Sequence, residues 1–203
     1  MGKRKHLNQI EELLEKSPVI DFRSIQRRIR SKAYAKLLVN QLRKKEKILK
    51  LAKGCYTKHK EISLAVFCFQ PAYLGLQSAL SYHGIWEQET IPVILTAKKV
   101  RTGIRKVDGN NSYIRRLKGK YVFGFTYEQE GEFYLPYADL EKTFIDMVIF
   151  RQRMDEEVIR KIKEKLNAKK LRRYLKKYPR RTREKISKIL KNNELLKPKP
   201  KAI

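Results

Sequence analysis

Acidic residues, cysteines and long apolar runs are all scarce in this sequence, and each scarcity excludes something. Only 21 of the 203 residues are Asp or Glu, against 49 Lys and Arg, which leaves a formal net charge of +28. Such an excess speaks about partners, usually nucleic acid or an anionic membrane surface, and says nothing of the fold. There are two cysteines, Cys55 and Cys68, with no CxxC spacing. That is too few for a secreted disulfide framework. Together with the scattered His6, His59 and His83 they do not make the four close ligands of a structural zinc site. Both are read as reduced, partly buried thiols, and no metal is expected. The longest strongly apolar run, Ile62–Phe69, is too short to span a bilayer. The basic start Met1–His6 leads into a Glu-containing amphipathic stretch, unlike a signal peptide. A soluble, cytoplasmic protein with no membrane partner is the expectation. Walker A, GxSxG and HExxH sequences are missing as well, so neither catalysis nor a cofactor is expected.

What is present is enough apolar material for a core, 41% of residues, and an uneven charge. Residues 1–60 hold 18 Lys and Arg against 5 Asp and Glu, a net +13. Residues 61–150 hold 10 of each, and residues 151–203 hold 21 against 6, a net +15. A neutral middle between two basic ends suggests two functional surfaces on an ordinary folded body.

The apolar periodicity predicts a first helix over Lys5–Lys16, ended by Ser17-Pro18, because a residue before proline avoids helical geometry. Asp21 is a good N-cap for a short second helix with Phe22, Ile25 and Ile29 on one face. Ser31 caps a third over Lys32–Lys45, with Tyr34, Leu38 and Leu42 inward and Leu37 beside them. Apolar runs on either side of Ala52-Lys53-Gly54 read as a β-hairpin. Three helices and a hairpin within about 57 residues is the order of a winged helix-turn-helix. The middle reads as mixed α+β. Strands are expected at Ile62–Phe69, Ile91–Thr96, Tyr121–Tyr127 and Glu132–Tyr137. A helix begins at Pro71 and closes at Gly84, a turn spans Asp108–Asn111, and a helix spans Leu140–Phe150. The C-terminal part reads as three basic helices, the second capped by Asn167, with a mobile tail over Asn192–Ile203. The expected class is α+β: a winged helix-turn-helix at 1–60, a mixed domain at 61–150, and a basic helical extension at 151–203.

The third helix of a helix-turn-helix lies in the major groove, its N-terminal half against base edges. Lys32, Lys36, Asn40 and Arg43 recur every three to four residues and share one face. Asn pairs with adenine in two places, and Lys or Arg with guanine. Arg23, Arg27, Arg28 and Arg30 are placed to hold phosphates, and Lys47, Lys50, Lys53 and Lys58 to line the wing. The plainer reading is a solvated basic helix on a lysine-rich protein. In the middle, Glu128, Glu130 and Glu132 on a strand, followed by Glu141, Lys142 and Asp146, would suit a metal-dependent nuclease. Lys142 and Asp146, four apart on a helix, are more simply a surface ion pair. His83, just before Gly84, reads as a helix-end residue, and the lone Trp86 as packing. The C-terminal cations read equally as a second nucleic-acid surface or as the exposed faces of amphipathic helices.

Three segments resemble the AbiEi antitoxins of type IV toxin–antitoxin systems, a family that also includes free-standing regulators. One is the third helix running into the hairpin, Leu38–Thr57, containing LRKKEKILKLAKGCYT. Another is SALSYHGI at Ser78–Ile85, followed by IPVILTA. The last is DLEKTFIDMVIF at Asp139–Phe150, similar to the family's Glu-Lys-x-x-x-Asp helix. The resemblance implies a winged helix-turn-helix that represses its own operon at promoter repeats. It also implies a C-terminal domain that counters a nucleotidyltransferase-type toxin, with His83, Glu141, Lys142 and Asp146 as its motif. The expectation is a non-enzymatic regulator on double-stranded promoter DNA, as a dimer or as several copies on repeated half-sites. A nuclease and an RNA-binding protein are the alternatives.

Overall fold

The computed structural model describes residues 2–88, 91–107 and 109–192. Asp108 of the expected turn and the expected tail beyond Asn192 lie outside the described residues.

The chain opens with α1 (Gly2–Lys16), α2 (Phe22–Ile29) and α3 (Lys32–Lys44). The helix starts are written in the caps. Asp21 accepts a hydrogen bond from the Ser24 N–H at 2.7 Å and Ser31 one from Tyr34 at 3.3 Å, each satisfying an N–H that the first turn leaves open. Between α2 and α3, Arg30 takes a left-handed conformation with φ 61°, and its N–H closes the helix onto Gln26. After α3 come β2 (Leu49–Ala52) and β3 (Cys55–Thr57), the hairpin the sequence predicts. A two-residue strand, β1 (Ile20–Asp21), pairs with β3 and completes a three-stranded antiparallel sheet in the order β1-β3-β2. Two residues between Ser17-Pro18 and the α2 start carry no period by which the sequence could predict this strand. Ile10, Leu14, Ile25, Leu38, Val39, Leu42 and Ile48 make this part's own hydrophobic core.

The rest is a mixed sheet with helices. A 3-10 helix, Ile62–Phe69, precedes β4 (Ala72–Leu74) and α4 (Gln77–Tyr82). Then follow β5 (Val93–Thr96), β6 (Gly103–Val107), β7 (Asn110–Arg116), β8 (Phe125–Glu130) and β9 (Phe133–Ala138). The order is β6-β7-β5-β4-β9-β8, with β4 parallel to β9, β5 parallel to β7, and the other pairs antiparallel. The chain ends in α5 (Leu140–Ile149), α6 (Glu156–Lys165), α7 (Ala168–Leu175) and α8 (Arg180–Asn192). Helix α5 is the hub. Its Phe144, Ile145, Met147 and Val148 share one core with Tyr73, Leu95 and Leu135 of the sheet and with Ile162, Leu171, Ile186 and Ile189 of the last three helices. The basic C-terminal helices are therefore packed into the body. Among the described residues no helix is long and apolar enough to cross a membrane.

Several expectations are corrected. Ile62–Phe69 is 3-10 helix, started by Glu61 accepting from the Ser63 N–H at 2.9 Å. A run that is apolar at every position but Ser63 has no period to separate strand from helix. The strand lies instead at Ala72–Leu74, where the sequence predicts helix, and α4 begins only after Gly75 and Leu76. All three strand residues are buried between β5 and β9, and that pairing decides their state over local propensity. The strand expected at Tyr121–Tyr127 starts only at Phe125, after a short 3-10 turn at Gly119–Tyr121. Cys55 and Cys68 are not free thiols; they form a disulfide, with Cα atoms 6.0 Å apart. They are 13 residues apart in sequence, and β3 and the 3-10 helix bring them together, which no local spacing rule registers.

Candidate nucleic-acid interface

Helix α3 is held by the burial of Ala35, Leu38, Val39 and Leu42. This stripe turns the opposite face outward. Ala33, Leu37, Asn40 and Lys44, at i, i+4, i+7 and i+11, are all exposed and form its central ridge. Lys32 and Lys36 flank the ridge, both exposed, and Arg43 is half-buried on the same flank. The sequence centres the face on the Lys32–Lys36–Asn40–Arg43 row, with Leu37 beside the core. Leu37 is instead 50% exposed. With Asn40, Gln41, Arg43 and Lys44 it lines a shallow groove of about 520 Å³ along the helix.

The other predicted cations divide into an exposed set around α2, a set that faces α1, and two lysines on the hairpin. Arg23, Arg27 and Arg30 are exposed around α2, Arg27 also donating to Ser24 Oγ at 3.3 Å. Three others face the acidic side of α1. Arg28 pairs with Glu12 at 3.2 Å, Lys47 with Glu11 at 3.5 Å and Lys58 with Glu15 at 2.5 Å. The Lys58 ammonium bonded to Glu15 holds that carboxyl below its ordinary range. Lys50 is half-buried on β2. Lys53 is exposed at the hairpin turn, where Gly54 takes φ +73°. Its side chain lines a cleft of about 320 Å³ with Lys98, Arg101 and Arg105. The structure therefore gathers Lys32, Lys36, Asn40 and Arg43 around one outward helix, with Arg23, Arg27 and Arg30 close in sequence before it. Arg28 and Lys47 are committed to α1.

The Glu141, Lys142 and Asp146 group lies in the core of the second part. Lys142 Nζ pairs with Asp146 Oδ1, and their side chains are 0% and 3% exposed. The surface ion pair expected from the spacing is thus a buried one. Nine consecutive residues of α5 are buried, because helices cover the side that a lone surface helix would show to water. Tyr73 Oη donates to Asp146 Oδ2 at 2.7 Å, and Lys142 Nζ lies 5.2 and 5.4 Å from the Tyr73 and Phe123 ring centroids. Burial pushes the Lys142 ammonium below its ordinary range and the Asp146 carboxyl above its own. Both directions disfavour charge in the interior. Glu141 accepts from the Asn167 N–H at 2.7 Å and pairs with Lys170 at 3.2 Å, which joins α5 to the start of α7. Tyr174 Oη and Lys170 Nζ both bond Asp139, at 2.7 and 3.1 Å. The His83 ring nitrogen Nε2 lies 2.9 Å from the Ala138 carbonyl, one residue before the cap of α5. Trp86 is half-buried against the same core, the packing role expected of it.

The nuclease carboxylates do not converge. Glu128 accepts from Thr126 and Tyr82, at 2.6 and 3.1 Å, and these hydroxyls lower its pKa. Glu130 accepts from Tyr137, and Glu132 is exposed in the turn. Among the described residues no group of three or more His, Cys, Asp or Glu could hold a metal ion. The C-terminal end holds a basic cleft of about 800 Å³, lined by Asn167, Lys169, Lys170, Arg172, Arg173 and Lys176. The sequence shows these cations, but their gathering on one side needs the packing of Leu171 beneath them.

No protein-family model matches the chain, and no curated protein matches it. Among solved structures, the fold is similar to the RV2827C protein from Mycobacterium tuberculosis, with a TM-score of 0.59 and 13% identity over 87% of this chain and 72% of that one.

Proposed function

We propose that this protein binds duplex DNA through a winged helix-turn-helix in its first 60 residues and regulates transcription from it. The observation that carries the reading is α3. It is exposed on one side, buttressed from behind by a core of its own, bordered by Lys32 and Lys36, and fitted with Asn40 and Lys44 on its ridge. Asn40 supplies adenine recognition, and the lysines supply phosphate or guanine contacts. Arg23, Arg27 and Arg30 hold backbone phosphates, and the β2–β3 hairpin serves as the wing. Phosphate contacts give most of the affinity, and α3 gives the preference. No bond is made or broken.

The resemblance to AbiEi antitoxins extends this reading to autoregulation and to neutralising a nucleotidyltransferase-type toxin. The buried Glu141–Lys142–Asp146 group would then shape the second domain and leave toxin contact to its surface. Binding of the purified chain to the duplex upstream of its own gene, against a scrambled duplex, tests the core of the proposal. Non-specific binding falls steeply between about 50 and about 200 mM salt as counterions are released. A preference of at least roughly a hundredfold that survives at the higher salt supports a specific regulator. Equal release of both duplexes contradicts it, and a preference for structured RNA over both would favour the RNA-binding alternative.

A further inference from the structure

Most of α3's outward side is polar, as a groove-reading helix requires, but its ridge begins with two apolar side chains. Ala33 and Leu37 stand one turn apart in the N-terminal half of the helix. The other large side chains that pack near the first core (Leu7, Leu13, Phe22 and Tyr34) are at least partly buried against it. Leu37 is the one large apolar residue of this part left exposed among the described residues, at 50%. A single half-exposed leucine is ordinary on a protein surface. Its surroundings make this one different. Lys36, Asn40 and Lys44 surround it, so a hydrophobic protein partner would have to bury their charges and amide along with it. A DNA groove meets such a patch on better terms. Phosphates lie at its rims, where the lysines reach, and the 5-methyl groups of thymine project from its floor.

We infer that Leu37, with Ala33 beside it, reads thymine methyl groups in the major groove, so that the sequence recognised has thymine facing the start of α3. The inference rests on the DNA-binding reading above and adds which base edge the helix selects. Asn40, one turn beyond Leu37, addresses an adenine on the same stretch. The bound half-site therefore pairs a methyl contact with an amide–adenine contact and contains neighbouring A·T pairs. The thymine methyl touches only carbon, so this contact is independent of salt, unlike those of Lys32 and Lys36.

The test uses the full-length protein and a randomised duplex pool. Duplexes are selected by binding at about 200 mM salt, and each thymine of the selected sequence is then replaced singly by uracil, which removes the methyl group alone. Uracil at one or two positions is expected to weaken binding by about threefold to fivefold, the effect of exposing one methyl group. Leu37→Ala, at a half-exposed site that the fold does not need, is expected to bind the thymine duplex weaker by a similar factor and to become indifferent to uracil there. Asn40→Ala should keep the uracil effect. If the pool yields no enriched sequence, DNA reading itself fails and this inference falls with it. If a sequence is enriched but uracil changes nothing, or if Leu37→Ala keeps the full uracil effect, the methyl contact is wrong while DNA binding stands. A Leu37→Ala loss equal on every duplex, or accompanied by a change in oligomeric state, would place Leu37 in a protein contact and overturn the inference.

Discussion

At the scale of single residues, the most constrained position is Lys142. Its ammonium is buried, bonded to Asp146, and enclosed by the rings of Tyr73, Phe123 and Tyr178. Removing one member of a buried pair leaves the other unpaired in the interior, which costs about 3–5 kcal/mol, whereas replacing both by apolar groups is often close to neutral. Lys142→Ala should lower the unfolding free energy by that amount in denaturant titration, and Lys142→Met with Asp146→Leu should recover most of it. Equal losses in the single and double variants would contradict a coupled pair. Nearby, Gly124 has φ +70°, and a Cβ there would lie 2.9 Å from the Tyr174 ring and 3.0 Å from Lys142 Cβ. Gly124→Ala is expected to cost about 1–3 kcal/mol through strain and overpacking, read in the same titration. The sequence shows both residues but not this relation. Spacing of four reads alike on a surface helix and on a covered one, and only the packing of α7 and α8 on α5 distinguishes them.

At the scale of elements, legibility follows capping chemistry. Asp21, Ser31 and Asn167 mark the starts of α2, α3 and α7 in the sequence, and each accepts the expected backbone N–H. Where no cap or period exists, the reading fails. Ile62–Phe69 lacks alternation, and β6 and β7 carry polar residues that gain strand geometry from pairing, β7 with β5 and β6 with β7. The α3 face was legible in composition and off-centre in rotation, since Val39 is buried and Leu37 is not. Two consequences belong here. Ser31→Ala removes the cap of α3 and should destabilise the first part by about 1 kcal/mol in thermal or denaturant unfolding. Lys36→Ala should reduce the salt slope of DNA binding by about one phosphate contact, while Arg28→Ala, whose guanidinium is engaged with Glu12, should leave that slope nearly unchanged. Equal slope changes in the two variants would remove the distinction between the outward face and the α1 side.

At the scale of the molecule, two cores divide the chain, and the second draws in both the mixed sheet and the basic C-terminal helices. Tyrosine hydroxyls lie in and around the second core. Burial pushes Tyr73, Tyr137 and Tyr178 well above their ordinary range, and burial with a bond to Asp139 pushes Tyr174 up to about 12. In the unfolded chain these groups ionise near pH 10. Between about pH 10 and 12 the unfolded state therefore holds fewer protons than the folded one, and stability falls as pH rises. Lys142 and Lys185, whose pKa values are lowered, act in the opposite sense, while Lys161 and Lys170, whose values are raised, add to the decline. Melting temperature should decline through this window, and Tyr174→Phe should soften the decline; a flat profile would show that these hydroxyls are open to water.

Basic surfaces occur toward both ends of the chain, and α3 is proposed as the one that meets DNA. The direct measurement is a map of backbone amide shifts in the full-length protein as the duplex selected by binding is added. The largest changes are expected over Lys32–Lys44 and at the β2–β3 turn, with little change around Asn167–Lys176. Large changes around Asn167–Lys176 with α3 undisturbed would contradict the role of α3 and assign binding to the C-terminal cleft.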